Sequence, residues 1–562
     1  MQHPLKVFFL GIMTLLFVFE AFVPAEEKYV TPDKIVPILD EIDRLNKRLD
    51  ELDQQENSEK LSEKDQHALY LLKDDMEELT EILERVETKS IVDRLEIGAE
   101  IRTRFDWYAF SGHDNIPFTS HPQGRKVYER VHMLPSNRFR LNIRAQIIEN
   151  LKFTSRLTMM RHWSDDDFSV YPEVNFLNTT RVPGNHILKV ERAYVDYFFE
   201  PHEYLPMALT FGRLPTTDGL PTDLRENTAR KSTYPGSAYN VETDGIALSL
   251  DLEPLTHFKK SAARFIFSVR YDDNQQYFMG KQYSDKKGIY RVDDKGMDPL
   301  YFLVFQLESY LPEYLGEILA IMNVLHIPQA SRPDFRYNDE LAPFYADDGL
   351  LFTQGEDSLG YLTKYTLFLE SKQFLGFNFD WFIGLSYLKT HAKSATEFML
   401  DPSALGLSLP PLHARDAYDL LKNYGPDYQT QLNALKNAPS PIGLLNNDGK
   451  SDHDAHCIEA GVRFGLPLPM KQCPIMGIEY NHGSQYWANF GDGSEDPLHK
   501  LATRGEAWDF YLLQPISRFL MFRAGHTVTL HKYDQYLSFY YGEPQATDQK
   551  ITNTYLLMDA KF

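Results

Sequence analysis

A strict two-residue alternation, starting near residue 95 and continuing to the end, limits what this chain can fold into more than any other feature. Ile97, Ala99, Ile101, Thr103, Phe105 and Trp107 alternate with Glu100, Arg102, Arg104 and Asp106. Phe139, Leu141, Ile143, Ala145 and Ile147 alternate with Arg138, Arg140, Asn142, Arg144 and Gln146. Leu151, Phe153, Leu157 and Met159 alternate with Lys152, Thr154, Arg156 and Thr158. A period of two is the mark of a strand. A strand with one apolar and one charged face needs a different solvent on each side. Repeated segments of about 10 to 14 residues with this pattern predict an all-β transmembrane barrel. The composition fits: 33 Tyr and 37 Phe give 13% aromatic residues with Trp, in a chain whose mean hydropathy is only −0.41. Aromatic girdles account for such a pairing. Beyond the N-terminus no run reaches about 18 apolar residues, so a helical inner-membrane protein is excluded.

The pattern predicts about sixteen antiparallel strands. They lie near 95–108, 137–147, 151–163, 187–199, 205–214, 242–253, 261–272, 298–309, 316–325, 360–371, 374–390, 455–466, 474–488, 503–514, 517–532 and 553–562. The 316–325 segment is the weakest, because Ile318 to Leu325 reads equally well as a helix. The connections alternate short and long, with both chain ends of the barrel on the short side, as in outer-membrane barrels. Of the long connections, 391–454 is the longest. Phe562 ends the last strand, preceded at alternate positions by Ala560, Met558 and Leu556. A terminal aromatic on such a strand resembles the signal read by the barrel-assembly machinery, although Ala560 is a weak residue for it.

The N-terminus reads differently. Lys6, the apolar run Val7 to Phe19 and Val23-Pro24-Ala25 form a secretory signal peptide over 1–25. Residues 26–90 carry two heptad seams, Ile35, Ile38, Ile42, Leu45, Leu49, Leu52 and then Leu69, Leu72, Met76, Leu79, Leu83, Val86. They differ in phase by one residue. Two arrangements fit: a helical hairpin, or an interrupted coiled coil between subunits, which is preferred because two short helices alone bury little. This segment holds 20 acids against 10 bases, as a solvated coiled-coil face would. Three regions follow: signal peptide 1–25, periplasmic coiled coil 26–90 and barrel 91–562.

Register can be taken one step further. Both apolar rows of the second hairpin fall on odd numbers, so paired positions must sum to an even number. A three-residue turn at 148–150 pairs Ile147 with Leu151 and sets Asn142 opposite Arg156. Arg138, Arg140, Arg144 and Arg156 then share one wall, which Arg102 and Arg104 continue. These arginines either line water or form a ladder that biases permeation toward anions. On the lipid face each would cost about 2–4 kcal/mol at mid-depth.

The net charge of −22 argues against nucleic acid as a partner. Two cysteines exclude a disulfide scaffold. Antiparallel pairing puts Cys457 near residue 481 or 483, far from Cys473, which predicts free thiols. Asp452-His453-Asp454-Ala455-His456 has the composition of a metal site, but alternation sends His453 and Asp454 to opposite faces, and no metal is assigned. Asp293-Asp294, Asp347-Asp348 and Glu495-Asp496 read as solvated loop acids. No nucleophile motif is present, so neither a catalytic residue nor a cofactor is expected.

Gly212-Arg213-Leu214-Pro215-Thr216-Thr217-Asp218-Gly219 with Leu224-Arg225-Glu226-Asn227 resembles a family of porin-like bacterial outer-membrane proteins of unknown function. So does Glu479-Tyr480-Asn481-His482-Gly483-Ser484-Gln485-Tyr486-Trp487 with Lys500-Leu501-Ala502-Thr503-Arg504-Gly505. The resemblance covers about residues 90 to 562. It implies a periplasmic coiled coil, an outer-membrane barrel and no assigned substrate. By analogy with general porins, the third long loop would fold inward as a constriction carrying Arg213, Asp218, Asp223, Arg225, Glu226, Arg230 and Lys231. The expected function is passive diffusion of small hydrophilic solutes or ions. The alternative is a non-conducting binding or structural barrel with its lumen plugged. The expected surroundings are outer-membrane lipid and lipopolysaccharide. A homotrimer is one assembly open to such a barrel.

Overall fold

The computed structural model describes residues 94–114, 125–163, 188–199, 205–271, 299–312, 317–331, 351–354, 358–400, 412–413, 442–468, 472–491, 494–533, 540 and 542–562. The expected signal peptide, the coiled coil and the acid pairs at 293–294 and 347–348 lie outside the described residues. Glu96–Phe562 forms one compact unit.

Twenty strands are described. The first nine are β1 (Leu95–Asp114), β2 (Arg125–Ile148), β3 (Leu151–His162), β4 (Lys189–Phe198), β5 (Met207–Arg213), β6 (Asp244–Asp251), β7 (Ala262–Tyr271), β8 (Pro299–Tyr310) and β9 (Ile318–Ser331). Then come β10 (Leu351–Gln354), β11 (Ser358–Ser371), β12 (Phe379–Ala392), β13 (Ala395–Leu400), β14 (Leu412–His413) and β15 (Ile442–Gly443). The last are β16 (Asp454–Gly465), β17 (Ile475–Gly483), β18 (Gly505–Pro515), β19 (Leu520–His531) and β20 (Lys550–Lys561). Sixteen of them, all but β10, β13, β14 and β15, form one closed antiparallel barrel. The other four form a small sheet within the long connections. No described helix is long and apolar enough to cross a membrane.

Each wall strand falls where the alternation predicts one. The ambiguous 316–325 segment is a strand and runs on to Ser331. β1 closes the ring against β20, from Glu100 opposite Lys561 to Ser111 opposite Lys550. The Ala99 N–H donates to the Phe562 carbonyl across this seam at 2.8 Å. Closure of this kind leaves no edge unpaired, as lipid requires.

The expected register of the second hairpin holds over most of its length: Asn142 faces Arg156, and the Arg156 Nε donates to the Asn142 Oδ1 at 2.8 Å. The tip differs. Ile148, not Ile147, stands opposite Leu151, and the ladder shifts between Gln146 and Ile148. A bulge at Ile147 tightens the turn to two residues, which the alternation alone could not reveal.

Outward rows carry exposed apolar side chains around the ring, among them Phe211, Ile246, Phe267, Leu385, Phe510 and Leu556. Cross-strand aromatic contacts join this belt, such as Tyr480 with Trp508, 4.5 Å between centroids. Inward rows are polar and buried, with aromatic rings set over glycines of the neighbouring strand. Tyr511 stands opposite Gly477, Tyr555 opposite Gly525 and Phe382 opposite Gly461. A Cβ at residue 477 would meet the Tyr511 ring at 2.2 Å.

The two cysteines are free, Cys457 buried and Cys473 exposed. Cys457 lies opposite Gly483, as predicted. A thiol reagent added to the folded protein should therefore label Cys473 alone, and Cys457 only after unfolding; mass spectrometry of the labelled peptides reads this directly. Replacing Gly477 with Val overpacks the inner wall beside Tyr511. The expected loss is about 1–3 kcal/mol, seen as a lower urea midpoint for the heat-modifiable folded form.

Candidate functional site

Connections normally run over the surface, because a buried one must satisfy its own backbone. The connection from Leu214 to Thr243, between β5 and β6, is instead buried along most of its length. Its apolar footing explains this in part. Leu220 and Leu224, which flank and enter the short helix α1 (Thr222–Glu226), pack with Leu319, Ile321, Phe368 and Phe382 on the inward rows of β9, β11 and β12. Burying each leucine contributes about 1.5–3 kcal/mol. Tyr234 and Tyr239 stack at 4.5 Å and close the loop on itself.

Charge fixes the opposite side. On β3 and β4, Arg156 and Arg192 stand directly opposite each other. Like charges in register destabilise a sheet. The ladder also shifts at this point, so that neighbouring Glu191 and Arg192 are both buried. Asp218 of the loop resolves the conflict, accepting from Arg156 at 2.6 Å, Arg192 at 2.9 Å and Arg140 at 3.2 Å. Its φ of 63° is a conformation that non-glycine residues adopt when their surroundings dictate it. Glu226 accepts from Arg102 at 2.5 Å and Lys231 at 2.9 Å.

The remaining anchors reach other walls. Arg225 pairs with Glu479 of β17 at 2.8 Å, and Arg230 with Glu308 of β8 at 3.0 Å. Lys372 donates to Asp223 at 2.5 Å. Arg463 and Arg523 donate to loop carbonyls at Leu224 and Arg225. Ser237 donates to Glu459 of β16.

A second connection, 484–504, meets the first. The Asn489 Nδ2 donates to the Gly236 carbonyl at 3.2 Å, and the Asn240 N–H to the Phe490 carbonyl at 2.6 Å. Lys364 of β11 donates to both, at the Ser237 carbonyl and the Asn489 Oδ1, and lies over the Trp487 ring. Lys500 pairs with Asp509 at 2.5 Å and Glu479 at 2.7 Å. Glu495 reaches Arg138, Arg140 and Arg102. It was expected to be a solvated loop acid; the structure buries most of it among three guanidiniums. A partly open cavity of about 50 Å³ remains beside Arg102, Asp218, Arg225, Glu226, Glu495 and Asp509.

Of the six arginines expected on one wall, Arg102, Arg104, Arg138, Arg140 and Arg156 are buried on the inner face. They do not form a bare ladder. Arg102 pairs with Asp559 at 2.6 Å and Arg104 with Asp106 at 2.8 Å, while Arg138 meets Glu100 at 3.2 Å and Arg140 meets Glu191 at 3.0 Å. Arg144 is largely exposed near the short turn, with Glu96 at 3.9 Å. Arg213 leaves the expected constriction. It follows Phe211 on the outward row of β5 and pairs with Asp244 at 3.0 Å. Alternation from exposed Phe211 already implied this. Asp218, Asp223, Arg225, Glu226, Arg230 and Lys231 do belong to the inserted loop. Arg192, Glu479, Glu459 and Glu495 were missed. Of these only Glu479 lies in a family motif, which it opens; Arg192, Glu459 and Glu495 lie outside both motifs. His453 stacks on Tyr486 at 3.7 Å, and Asp452 meets His391 at 3.1 Å.

A family model described as "Protein of unknown function (DUF3373)" matches residues 129–560. The chain belongs to this family. No curated protein matches the DUF3373 chain by sequence. Among solved structures it is similar to OprB of Pseudomonas putida, at 9% identity over 84% of this chain and 96% of that one, with a TM-score of 0.42. It is also similar to the outer membrane channel DcaP of Acinetobacter baumannii, at 10% over 83% and 97%, TM-score 0.37. A third is the anion-selective porin from Comamonas acidovorans, at 9% over 83% and 99%, TM-score 0.34.

Burial alone would raise the Asp218 carboxyl; Arg140, Arg156 and Arg192 outweigh it and hold it well below the usual carboxylate range. Glu226 is likewise opposed by burial but held well down by Lys231 and Arg102. Both folded values are depressed, so the stability they contribute is complete above the ordinary values of 3.8 and 4.5 and is lost as pH falls through the depressed ones. The difference in urea midpoint between the native chain and D218N/E226Q should stay constant from about pH 7 to 5 and close only below about pH 4. A difference already gone at the upper end of that range would mean the carboxylates are not held down.

Proposed function

We propose that this protein is an outer-membrane, porin-like channel for passive diffusion of small hydrophilic solutes or ions, narrowed by the 214–243 loop. The observation that carries this reading is the two-solvent wall: a closed ring, apolar outside and charged inside, with solvent-reaching space beside the inserted loops. A secreted precursor, cleaved after Ala25, would reach the outer membrane and be inserted through its C-terminal strand ending in Phe562. The 26–90 segment would stay in the periplasm, joining subunits of a trimer or folding on itself. Lipopolysaccharide would surround the long-loop end. Asp218, Asp223, Arg225, Glu226, Arg230 and Lys231 would set a mixed-charge constriction against Arg102, Arg138, Arg140 and Arg156.

One observation favours a second reading, a plugged barrel. The loop is tied to strands all round the ring, from β1 and β3 to β8, β16 and β17.

Conductance of the purified mature protein in a planar bilayer separates the two. The channel reading expects discrete steps, grouped in threes if the assembly is trimeric. Deleting residues 218–231 should raise the conductance and change the reversal potential in a salt gradient. If the deletion alters neither, the loop is not the constriction. A silent but folded barrel would establish the plugged form.

A further inference from the structure

The wall around Asp218 is built with more positive charge than it can neutralise by itself. Arg102, Arg138, Arg140, Arg156 and Arg192 converge from β1 to β4, all buried. The wall strands answer them with Glu100, Glu191 and Asp559. Arg156 and Arg192 face each other in register, and both contact Glu191 only at 3.3 and 3.8 Å. Charges taken out of water need partners at close range, or the group is strongly destabilising. The missing carboxylates come from outside the wall. Asp218 and Glu226 arrive on one loop and Glu495 on another.

Three further details matter. The guanidinium Nε–H groups of Arg138 and Arg140, on nearly fully buried side chains, reach no acceptor among the described residues. The cluster therefore has donor capacity beyond what the loops use. The solvent-reaching cavity touches Asp218, Glu226 and Glu495 together with Arg102, while the other four arginines do not line it, so a solute arriving by that route meets the loop carboxylates before most of their arginine partners. The loop's apolar anchors, Leu220 and Leu224, lie on β9, β11 and β12, away from the arginines. The carboxylate side can yield without detaching the apolar side.

We propose that this five-arginine wall is a binding site for a small, multiply charged carboxylate or phosphate anion, whose place Asp218, Glu226 and Glu495 occupy when no ligand is bound. Arginine presents paired donors that match carboxylate and phosphate oxygens bidentately. An arriving oligoanion can satisfy the same donors as two or three separate loop carboxylates. Displacing them would also loosen the narrowest part of the lumen, so that the anion opens its own path. This last step rests on the channel reading; the binding site does not.

Isothermal titration calorimetry of the full-length protein in detergent, at low salt and neutral pH, tests the site without requiring conduction. The probe is citrate, with acetate as the singly charged control and inorganic phosphate as the second oxyanion. Citrate should bind saturably, at least about tenfold more tightly than acetate, a gap of about 1.4 kcal/mol. In D218N/E226Q, which lacks the internal competitors, citrate affinity should rise about tenfold or more. Glu495→Gln, a single change on the other loop, should act in the same direction more weakly, and covers the case in which the double variant does not fold. R140Q/R156Q, checked for heat-modifiable migration, should abolish binding. Citrate no tighter than acetate would overturn the proposal. So would equal citrate affinity in the native chain and the folded loop variants, since the loop carboxylates would then not occupy the ligand's place. A silent channel that still binds citrate would sink the conduction reading and leave the site standing; a conducting channel blind to citrate would do the reverse.

Discussion

Everything in this structure depends on the hydrogen bonds that join β1 to β20. A backbone group left unpaired in hydrocarbon costs several kcal/mol, so a sheet that crosses lipid must have no edge. Pairing from Glu100 opposite Lys561 to Ser111 opposite Lys550 removes the last one. Closure then dictates the side chains. Every wall strand must present one row to lipid and one to the interior, so period two becomes obligatory. It also fixes which charges meet, since Arg102 can pair with Asp559 at 2.6 Å only because the two ends of the chain are register partners.

The interior that closure creates is too wide for wall side chains alone to fill. Here backbone from two connections enters it. Their fit explains the unusual inward rows. Glycines opposite Tyr511, Tyr555 and Phe382 let those rings lie flat against the wall, leaving room for the loops. A leucine pair on one side and carboxylates on the other then hold the 214–243 segment between opposite walls.

Local pattern made the wall legible in the sequence. Strand number, the alternation of long and short connections, and the pairing of Asn142 with Arg156 all follow from periodicity and parity, which are properties of neighbouring residues. What was not legible depends on residues far apart in the chain. No spacing announces that Arg102 meets Asp559, or that Glu495 joins Arg138 and Arg140. Parity puts these arginines on one wall but does not name their partners, the carboxylates Asp559, Glu100 and Glu191. Arg213 was misassigned for the opposite reason: a motif outweighed the simple parity that, from Phe211, places it on the outer face. The bulge at Ile147 escaped because it adds one residue without breaking the apolar run. The second inserted connection had only its two-part motif, Glu479 to Trp487 and Lys500 to Gly505, as a sign that something unusual lay there.

The two kinds of contact that hold the inserted loop differ in how they can be exchanged. Apolar burial of Leu220 and Leu224 has no small competitor in water, because nothing dissolved there offers a matching surface. Buried ion pairs contribute little net stability, since the desolvation of both charges offsets most of their attraction. The price of leaving Arg140, Arg156 and Arg192 without any anion is nonetheless high. The loop is thus pinned on β9, β11 and β12 and merely matched on β1 to β4. Any anion able to match those arginines as well as Asp218 does can compete for them at small net cost. A barrel built this way holds a loop of its own chain between opposite walls by two kinds of contact, of which only the ionic one has small competitors in water.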